Sequence, residues 1–518
     1  MDKSILKENK TLKGIAWLSL STIILKFIGL IYKIPISYLL GDDGMGYFNS
    51  AYTIYTLFYI ICSSGIPKGI SIIVSKYEAE YNKSSDSFYK STLIILGVFG
   101  GLSAVFFLLL APAFTKLIGS SKALFSMYAV APSVLFVCMS GVARGYLTGK
   151  MKFRHIAISE VIIGISKLFI GLFFAIIGVK LSLDTHLICA LSIFGITVGT
   201  LLSTFYLLYI CSINTRGAPV GINRSEIRSL LKISMPITFA SVGTGLTGVL
   251  DLFLIIRGLT SSGYSEGVAN ALYGNYSTLT VPMVSLVSTI IAPIITAYTP
   301  TLAALYAKGK INNYTESVNE SLSLVSFITV PCFVVFMLYP SRLLGIIFES
   351  GSVTLGFMLL AVISPSAILL GLTAVINNAL ESTGRVRVPV ISISLGAVAK
   401  IILTWMMIKF TNLGILCAPL GTIISYFVSF FISYFGFIIT TRKKVEILKS
   451  NLIPITSASI SLSITIVFSI LISTVKSFKI KSIIILSVFS LIYLVFMLIL
   501  SKKTRNFILK KNKIYKNK

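Results

Sequence analysis

Two lysines stand inside one long apolar stretch near the start of the chain. Lys26 and Lys33 lie in the run from Gly14 to Leu40, and residues seven apart in a helix fall about 20° short of two full turns, so both side chains would share a face. Lys26 is about a dozen residues from either end of the run. That distance is about 18–21 Å in a helix, and a lysine side chain cannot span it to reach water. Ammonium groups so placed are suited to bind phosphate.

Four further basic residues fall in apolar segments, and they are Lys68, Arg144, Lys167 and Lys400. A charge at the bilayer centre costs about 2.5–3.5 kcal/mol on insertion scales, so such residues mark a functional site by default. Two alternatives stay open: Glu160, seven residues before Lys167, could neutralise that lysine, and Arg144 could extend to the membrane surface. The apolar segments hold six such cations and three acids, so we expect the six to bind an anionic guest.

A second group of residues offers oxygen ligands. Asn377 and Glu381 are four residues apart and face the same way in a helix, and Asp251 lies in another apolar segment. Carboxylate and amide oxygens of this kind suit Na⁺ or a proton, whereas ordinary hydrogen bonding at a helix end explains Asn377 and Glu381 equally well. The prediction is a cation site at Asp251, Asn377 and Glu381 that holds Na⁺ or H⁺, with no other cofactor.

Composition identifies the elements that must position these residues. Of the 518 residues, 55% are hydrophobic and only 12% are charged, about half the charge of a soluble domain. The apolar residues suffice for about fourteen membrane helices. We place these spans near residues 14–40, 47–74, 91–113, 123–148, 156–179, 186–211, 230–257, 271–298, 317–340, 355–380, 388–409, 414–440, 452–474 and 482–501. The chain is therefore predicted to be an all-α polytopic membrane protein.

The loops between the predicted spans are short and unevenly charged. None exceeds about 20 residues, and no Walker A phosphate loop is present, so we expect no catalytic domain and no enzymatic activity. On one side of the membrane the predicted loops and ends carry 30 Lys and Arg residues, against nine on the other. Because basic loops stay in the cytoplasm, both termini are predicted to be cytoplasmic.

An internal repeat appears at an offset of 233 residues. The segment Ala131-Pro-Ser-Val-Leu135 matches Ser364-Pro-Ser-Ala-Ile368. At the same offset three basic pairs align, namely Lys152 with Arg385, Arg154 with Arg387, and Lys167 with Lys400. The offset spans six helices, an even number, which indicates two parallel repeats. We therefore predict an N-terminal lobe over residues 1–215, a C-terminal lobe over 216–445, and two added spans with a basic cytoplasmic tail over 446–518.

Four N-terminal segments carry a family resemblance. They are Leu25-Lys-Phe-Ile-Gly-Leu-Ile-Tyr-Lys-Ile-Pro35, Leu40-Gly-Asp-Asp-Gly-Met-Gly46, Ala51-Tyr-Thr-Ile-Tyr55 and Gly65-Ile-Pro67. Together with Asp251, Arg257 and Leu272-Tyr-Gly274, they resemble the polysaccharide-precursor exporters of the multidrug/oligosaccharidyl-lipid/polysaccharide (MOP) superfamily. Within it, the chain looks most like the lipid II flippase (MurJ/YtgP) and stage V sporulation protein B branch. The resemblance implies a fold similar to that of MATE transporters.

The resemblance also implies a function and site residues. The family flips undecaprenyl-pyrophosphate-linked cell-wall precursors such as lipid II by alternating access across the bacterial cytoplasmic membrane. Basic residues of its first two helices meet the pyrophosphate, and here they would be Lys26, Lys33 and Lys68, although the family usually has arginine in the first helix. Some members bind Na⁺ through residues that would correspond to Asp251, Asn377 and Glu381. Membrane lipids and cell-wall synthesis proteins are the expected partners, and nucleic acid is not.

Three alternative functions stay open at this stage. The chain could flip another polysaccharide or spore-cortex precursor. It could also be a MATE-type multidrug or cation antiporter, although such a protein should favour acids over lysines along its transport path. A membrane glycosyltransferase would need a large extracytoplasmic loop with paired acids, and the adjacent Asp42 and Asp43 lie instead in a tight glycine-rich turn.

Overall fold

The computed structural model describes most of the chain. The described residues are 3–78, 85–215, 217, 219, 221, 224–348, 353–472 and 477–500, so the predicted basic tail over 501–518 lies outside the described residues. Within these ranges all regular secondary structure is helical. In a bilayer this is expected, because an α-helix satisfies every backbone polar group within its own segment. The predicted all-α architecture is confirmed.

Many of the helices are suited to cross a membrane. Among the described residues twelve helices are long and apolar enough, and the number is thirteen if the bent pair Ser121–Val130 and Ser133–Gly149 counts as one span. The first candidate, Ile24–Lys76, has 53 residues, more than twice the length that a bilayer requires. It covers two of the predicted spans, so the helices are consistent with the fourteen that the sequence predicts. Large apolar side chains point outward along them, as Leu109 and Ile439 do at 73% and 74% exposure.

The chain divides into two compact units, of which the first runs from Met1 to Gly274. Its helices begin with a very long one and include a short 3₁₀ turn at Ser121–Ala123. They are α1 (Lys3–Ser63), α2 (Gly65–Lys76), α3 (Asp86–Ile118), α4 (Leu124–Val130), α5 (Ser133–Gly149), α6 (Phe153–Lys180), α7 (Thr185–Asn214), α8 (Arg224–Ser261) and α9 (Glu266–Asn275). This unit contains five of the six predicted anion-binding residues.

The second compact unit runs from Asn275 to Lys518. A π-helical turn at Tyr276–Thr280 connects α9 to the next helix, and a 3₁₀ turn at Gly414–Leu416 precedes α16. The helices are α10 (Val281–Ala307), α11 (Ile311–Leu338), α12 (Pro340–Ile347), α13 (Val353–Ile363), α14 (Pro365–Ser382), α15 (Arg387–Phe410), α16 (Cys417–Thr441), α17 (Ile447–Leu471) and α18 (Phe478–Leu500). This unit holds Lys400 and two of the three predicted cation ligands.

A glycine divides α1 into two arms. Gly41 has φ 63° and ψ −174°, a conformation that a residue with a Cβ atom rarely adopts. The kink lies between the predicted spans 14–40 and 47–74, whereas Pro35 lies within the helical part. A second interruption, at Ser64 just before Gly65-Ile-Pro67, is milder, because the N–H of Ser64 still bonds the carbonyl of Ile60.

Helix boundaries agree with the internal repeat. The α4–α5 break falls before Ser133 and the α13–α14 break falls at Ser364, so both repeat segments are interrupted beside their shared proline. The ends of α5 and α14, at Gly149 and Ser382, are separated by the same 233 residues. The compact units, by contrast, divide after Gly274, because α8 packs against α1, α2 and α3. The lobe boundaries drawn from the repeat at 215 and 445 stay a prediction.

Helices α6 and α7 approach each other at backbone distance. A Cβ atom added at Gly195 would lie 2.6 Å from the backbone of Gly171 and 3.4 Å from the carbonyl oxygen of Lys167. At Gly199 the same addition would lie 3.1 Å from the carbonyl oxygen of Ile163. Small residues at helix interfaces allow this approach in membranes. The glycines of α7 therefore fix the turn of α6 that carries Lys167.

We predict that Gly195→Ala destabilises the protein. The added methyl group would meet backbone atoms of α6 that cannot rotate away, and overpacking of this kind costs about 1–3 kcal/mol. Thermal unfolding in detergent should show a lower midpoint than the parent chain. Gly97→Ala in α3 is the control, because nothing lies within 4 Å of its added Cβ. An equal midpoint for the two variants would contradict the close packing.

Candidate functional site

Three of the predicted anion-binding lysines come together in the first unit. Lys26 and Lys33 lie on the first arm of α1, and Lys167 lies on α6, which packs along α1. The ammonium group of Lys33 interacts electrostatically with those of Lys26 and Lys167. Lys26 is exposed, whereas Lys33 and Lys167 are half-buried. Three like charges in one apolar region repel each other, since the low dielectric weakens their interaction little, and an anion placed among them would relieve that repulsion.

Aromatic rings surround the ammonium group of Lys167. Its Nζ atom lies 5.0 Å from the ring centroid of Tyr32, 4.8 Å from that of Tyr52 and 6.0 Å from that of Phe48. All three distances are within cation–π range. Tyr32 and Phe48 are buried, and Tyr52 is 37% exposed. All three rings, which we call the Lys167 cage, come from α1, and Lys167 itself is half-buried.

Glu160 pairs with Arg144. One oxygen of Glu160 lies 3.8 Å from a guanidinium nitrogen of Arg144, and the other accepts a hydrogen bond of 2.9 Å from the Ser21 hydroxyl. The two charged side chains are only 15% and 22% exposed. The alternative in which Glu160 neutralises Lys167 is therefore not what the structure shows. Arg144 contacts a carboxylate, and its predicted part in anion binding stays a prediction.

The remaining two predicted cations lie elsewhere. Lys68 is exposed on α2, four residues after the interruption at Ser64. Lys400 is half-buried on α15 in the second unit, where a Cβ atom added at Gly421 of α16 would lie 3.4 Å from its Cγ. It also interacts electrostatically with Tyr426. Lys68 and Lys400 thus keep their predicted roles as proposals.

The predicted cation ligands of α14 take part in hydrogen bonds between helices. The side-chain oxygen of Asn377 accepts a bond of 2.6 Å from Ser433 of α16. The neighbouring Asn378 accepts one of 2.7 Å from Thr299 of α10. Glu381 is exposed, and Asp251 is half-buried on α8 in the first unit. The hydrogen-bonding role that the sequence left open is therefore present at Asn377, and a cation site at these three residues stays a prediction.

The aromatic residues around Lys167 are not among the site residues that the sequence predicts. Phe48, Tyr52, Tyr55 and Tyr59 recur every three or four residues along α1, and neighbouring rings lie 6.1–6.3 Å apart. That spacing places them on one face of the helix, so their alignment was visible in the sequence. Their position opposite Lys167 was not, because it depends on how α1 and α6 pack.

Polar contacts at both ends of α8 were also missed. At one end Arg257 donates to the carbonyl oxygens of Lys116 and Leu117 at 3.0 and 3.1 Å. Nearby, a carboxylate oxygen of Glu266 on α9 accepts bonds of 2.7 and 2.8 Å from the backbone and hydroxyl of Ser121. The Arg257 guanidinium thus binds the carbonyls at the C-terminus of α3, and the Glu266 carboxylate lies at the start of a helical turn. Both placements match the sign of charge that a helix end favours.

At the other end of α8 the contact is a single hydrogen bond. The hydroxyl of Tyr77 donates to a carboxylate oxygen of Glu226 at 2.6 Å. In the lobes predicted from the repeat, Glu226, Arg257 and Glu266 fall after residue 215 and their partners fall before it. All of these residues lie in the first compact unit, so the bonds hold α8 and α9 against other helices of that unit.

Comparisons with known proteins agree with this fold. The family profile described as polysaccharide biosynthesis protein matches residues 11–306, and the MatE profile matches residues 277–406. Lipid II flippase MurJ of Bacillus subtilis (strain 168) is 23% identical over 493 residues, covering 89% of this chain and 88% of that protein. Stage V sporulation protein B of the same organism is 21% identical over 423 residues, covering 80% of each chain.

A solved structure shows the same architecture. Lipid II flippase MurJ in an inward closed conformation superimposes with a TM-score of 0.70 at 17% identity, covering 95% of this chain and 100% of that one. The MATE/MOP-like fold predicted from the sequence resemblance is thereby confirmed. The polysaccharide biosynthesis profile covers more than half of the chain. The chain therefore belongs to the polysaccharide biosynthesis protein family and has the fold of the MOP-superfamily transporters.

Proposed function

We propose that the protein is a flippase that moves an undecaprenyl-pyrophosphate-linked cell-wall precursor, lipid II in the first place, across the bacterial cytoplasmic membrane. The observation that carries this proposal is the cluster of Lys26, Lys33 and Lys167 on apolar helices. Similarity to lipid II flippase MurJ over 89% of the chain supports the choice of precursor. The protein is then a transporter and not an enzyme.

The chemistry of the lysine cluster fits a pyrophosphate group. Phosphate oxygens accept charge-assisted hydrogen bonds from ammonium groups, and these are among the strongest hydrogen bonds in proteins. Lysine supplies point charges with rotatable donors, whereas arginine would impose a planar fork. The prenyl tail would remain in the lipid while the cluster holds the charged head group. The ammonium groups would thus replace the water that the charged pyrophosphate group loses when it enters the membrane.

Alternating access requires contacts that form at one side and break at the other. The bonds of Arg257 and Glu266 at one end of α8, and of Glu226 at the other, are suited to this role, because each crosses the lobe boundary predicted at residue 215. With both termini in the cytoplasm, Arg257 and Glu266 lie toward the outer side. We propose that their bonds break when the protein opens outward, driven by Na⁺, protons or the membrane potential.

Two related functions share part of this support. The match to stage V sporulation protein B favours a spore-cortex precursor as a second substrate, which would have the same pyrophosphate chemistry. The MatE profile match over 277–406 favours a multidrug or cation antiporter. A cationic drug would be repelled by three neighbouring ammonium groups, so the flippase is the better-supported function.

We predict that Lys33→Glu abolishes rescue of a strain depleted of its own lipid II flippase. The substitution places a carboxylate where the phosphate should bind, and loss of one hydrogen bond to a charged group costs about 1.5–3 kcal/mol, or about 10–100-fold in affinity. Growth and lipid II flipping should be measured at matched membrane expression. Lys180→Glu, at the exposed end of α6, is the control and should rescue. Full rescue by well-expressed Lys33→Glu would remove the proposed role of the cluster.

A second prediction concerns the cation ligands. If Asp251 holds Na⁺, sodium should raise the unfolding temperature of the purified protein, because a ligand that binds only the folded state stabilises it. Asp251→Ala should abolish that rise, and Asp184→Ala, an exposed residue before α7, should keep it. Measurement in sodium and in choline chloride at equal ionic strength separates binding from screening. A sodium effect that survives Asp251→Ala would place the cation elsewhere.

A third prediction concerns the bonds near Ser121. Glu266→Gln removes the negative charge that holds the Ser121 backbone and hydroxyl, while it keeps the size of the side chain. The outward-open state should become more populated, so an Ala123→Cys probe, buried in the structure, should react several-fold faster with a membrane-impermeant maleimide. Glu446→Gln, which lies far along the chain beside Lys449, is the control. Unchanged labelling would show that Glu266 does not hold this side closed.

A further inference from the structure

We propose that the Lys167 cage of Tyr32, Phe48 and Tyr52 is a positioning device for anion capture. The three rings hold the Lys167 ammonium group before and after binding, and when a pyrophosphate reaches Lys26 and Lys33 the ammonium group donates to a phosphate oxygen while it stays over the rings. The inference rests on the proposed function, which it deepens by naming the residues that position the ammonium group of Lys167. The rings themselves need not touch the phosphate.

The geometry of the cage supports this role. The Nζ atom of Lys167 lies 4.8–6.0 Å from the three ring centroids, where the negative face of each ring attracts a cation. Few lysines in a protein meet three rings at once, since significant cation–π pairs occur about once per 70–80 residues. The ammonium group is therefore held by attraction to neutral groups.

Neutral rings leave the positive charge of Lys167 available to a phosphate, whereas a carboxylate would neutralise it. Arg144 shows the contrast within the same unit, because its guanidinium is paired with Glu160 at 3.8 Å. A phosphate arriving at Arg144 would compete with that carboxylate for the guanidinium. At Lys167 the neutral rings attract the ammonium group without neutralising it, so the group can stay over the rings and still donate a charge-assisted hydrogen bond to a phosphate oxygen.

The rings are fixed in place by their own contacts. The hydroxyl of Tyr32 is hydrogen-bonded to the hydroxyl of Ser192 on α7 at 2.5 Å, and its ring is fully buried. The Tyr32 ring also lies 6.2 Å from that of Phe48, which stacks on Tyr52 at 6.3 Å and 15°. Tyr52, at 37% exposure, is the only one of the three with a large open surface. The cage is thus held by a hydrogen bond at Tyr32, whereas Tyr52 is its most exposed ring.

Electrostatic repulsion explains why such a device is useful. Lys33 interacts with both Lys26 and Lys167 through charge, so an unrestrained Lys167 would turn away from Lys33. Attraction by the rings offsets part of that repulsion and keeps the ammonium group of Lys167 near that of Lys33. The Lys167 side chain is then already ordered when the anion arrives, so less side-chain entropy is lost on binding.

The experiment measures binding of farnesyl pyrophosphate to the purified full-length protein by calorimetry. This probe carries the pyrophosphate and a short prenyl tail but no sugar, so direct contacts between Tyr52 and a glycan cannot contribute. We expect Tyr52→Leu to weaken binding about 3–10-fold, in line with the loss of one cation–π contact. Tyr52→Phe keeps the ring and should bind within about twofold of the parent chain.

A double-mutant cycle with Lys167→Met then tests whether Tyr52→Leu weakens binding through Lys167. If Tyr52 acts through Lys167, Tyr52→Leu should change binding less than about twofold in the Lys167→Met background. A merely structural role would weaken binding equally in both backgrounds. Tyr59→Leu is the matched control, because its ring belongs to the same aromatic row and contacts Tyr55, and it should leave binding unchanged.

The outcomes separate this inference from the proposed function. If the parent chain binds the probe and Lys33→Glu does not, the anion site exists. If Tyr52→Leu then has no effect, or has the same effect with and without Lys167, the cage is not a positioning device. If the parent chain fails to bind farnesyl pyrophosphate, the anion site itself is wrong and the inference falls with it.

Discussion

The structure depends on the electrostatic cost of holding ammonium groups close together among apolar helices. The charge of Lys33 interacts with those of Lys26 and Lys167 in surroundings that screen charge poorly. The rings around Lys167 attract one of these charges and offset part of the repulsion. Because the rings are neutral, they do not remove the positive charge on which the proposed binding of a phosphate group depends.

Helix packing provides the precision that this arrangement needs. The glycines of α7 bring α6 to backbone distance at the turn that carries Lys167, and the buried Tyr32 is fixed by a hydrogen bond to α7. Positions of the ammonium group and of the rings are therefore set by the same three helices, α1, α6 and α7. A shift of α6 along α1 would separate the lysine from its rings and from Lys33, so the cluster should respond to any movement that changes this packing.

Polar contacts away from the cluster have a different character. Arg144 with Glu160, Arg257 with helix carbonyls, and Glu266 with Ser121 each join a charged group to a complementary partner. Such bonds are stable in one conformation and specific in geometry, which suits contacts that keep helices together or hold one side closed. Within the first unit, the charges of these pairs are satisfied by protein, whereas Lys167 is held by neutral rings. Arg144 and Lys167 therefore differ in the kind of group that holds each charge, a carboxylate in one case and aromatic rings in the other.

The sequence by itself determined the membrane class, the positions of the helices, the family resemblance and the lysines that lie in apolar segments. Hydropathy and helical periodicity are properties of neighbouring residues along the chain, so they can be read without a structure. The helix breaks beside Pro132 and Pro365 were not predicted, and they fall inside the predicted spans 123–148 and 355–380. Only the tertiary structure decided which groups meet. Glu160 pairs with Arg144, and Lys167 faces aromatic rings, because of how α1, α5 and α6 are rotated and spaced. Contacts between segments that are distant along the chain leave no periodic signal in the sequence of either segment.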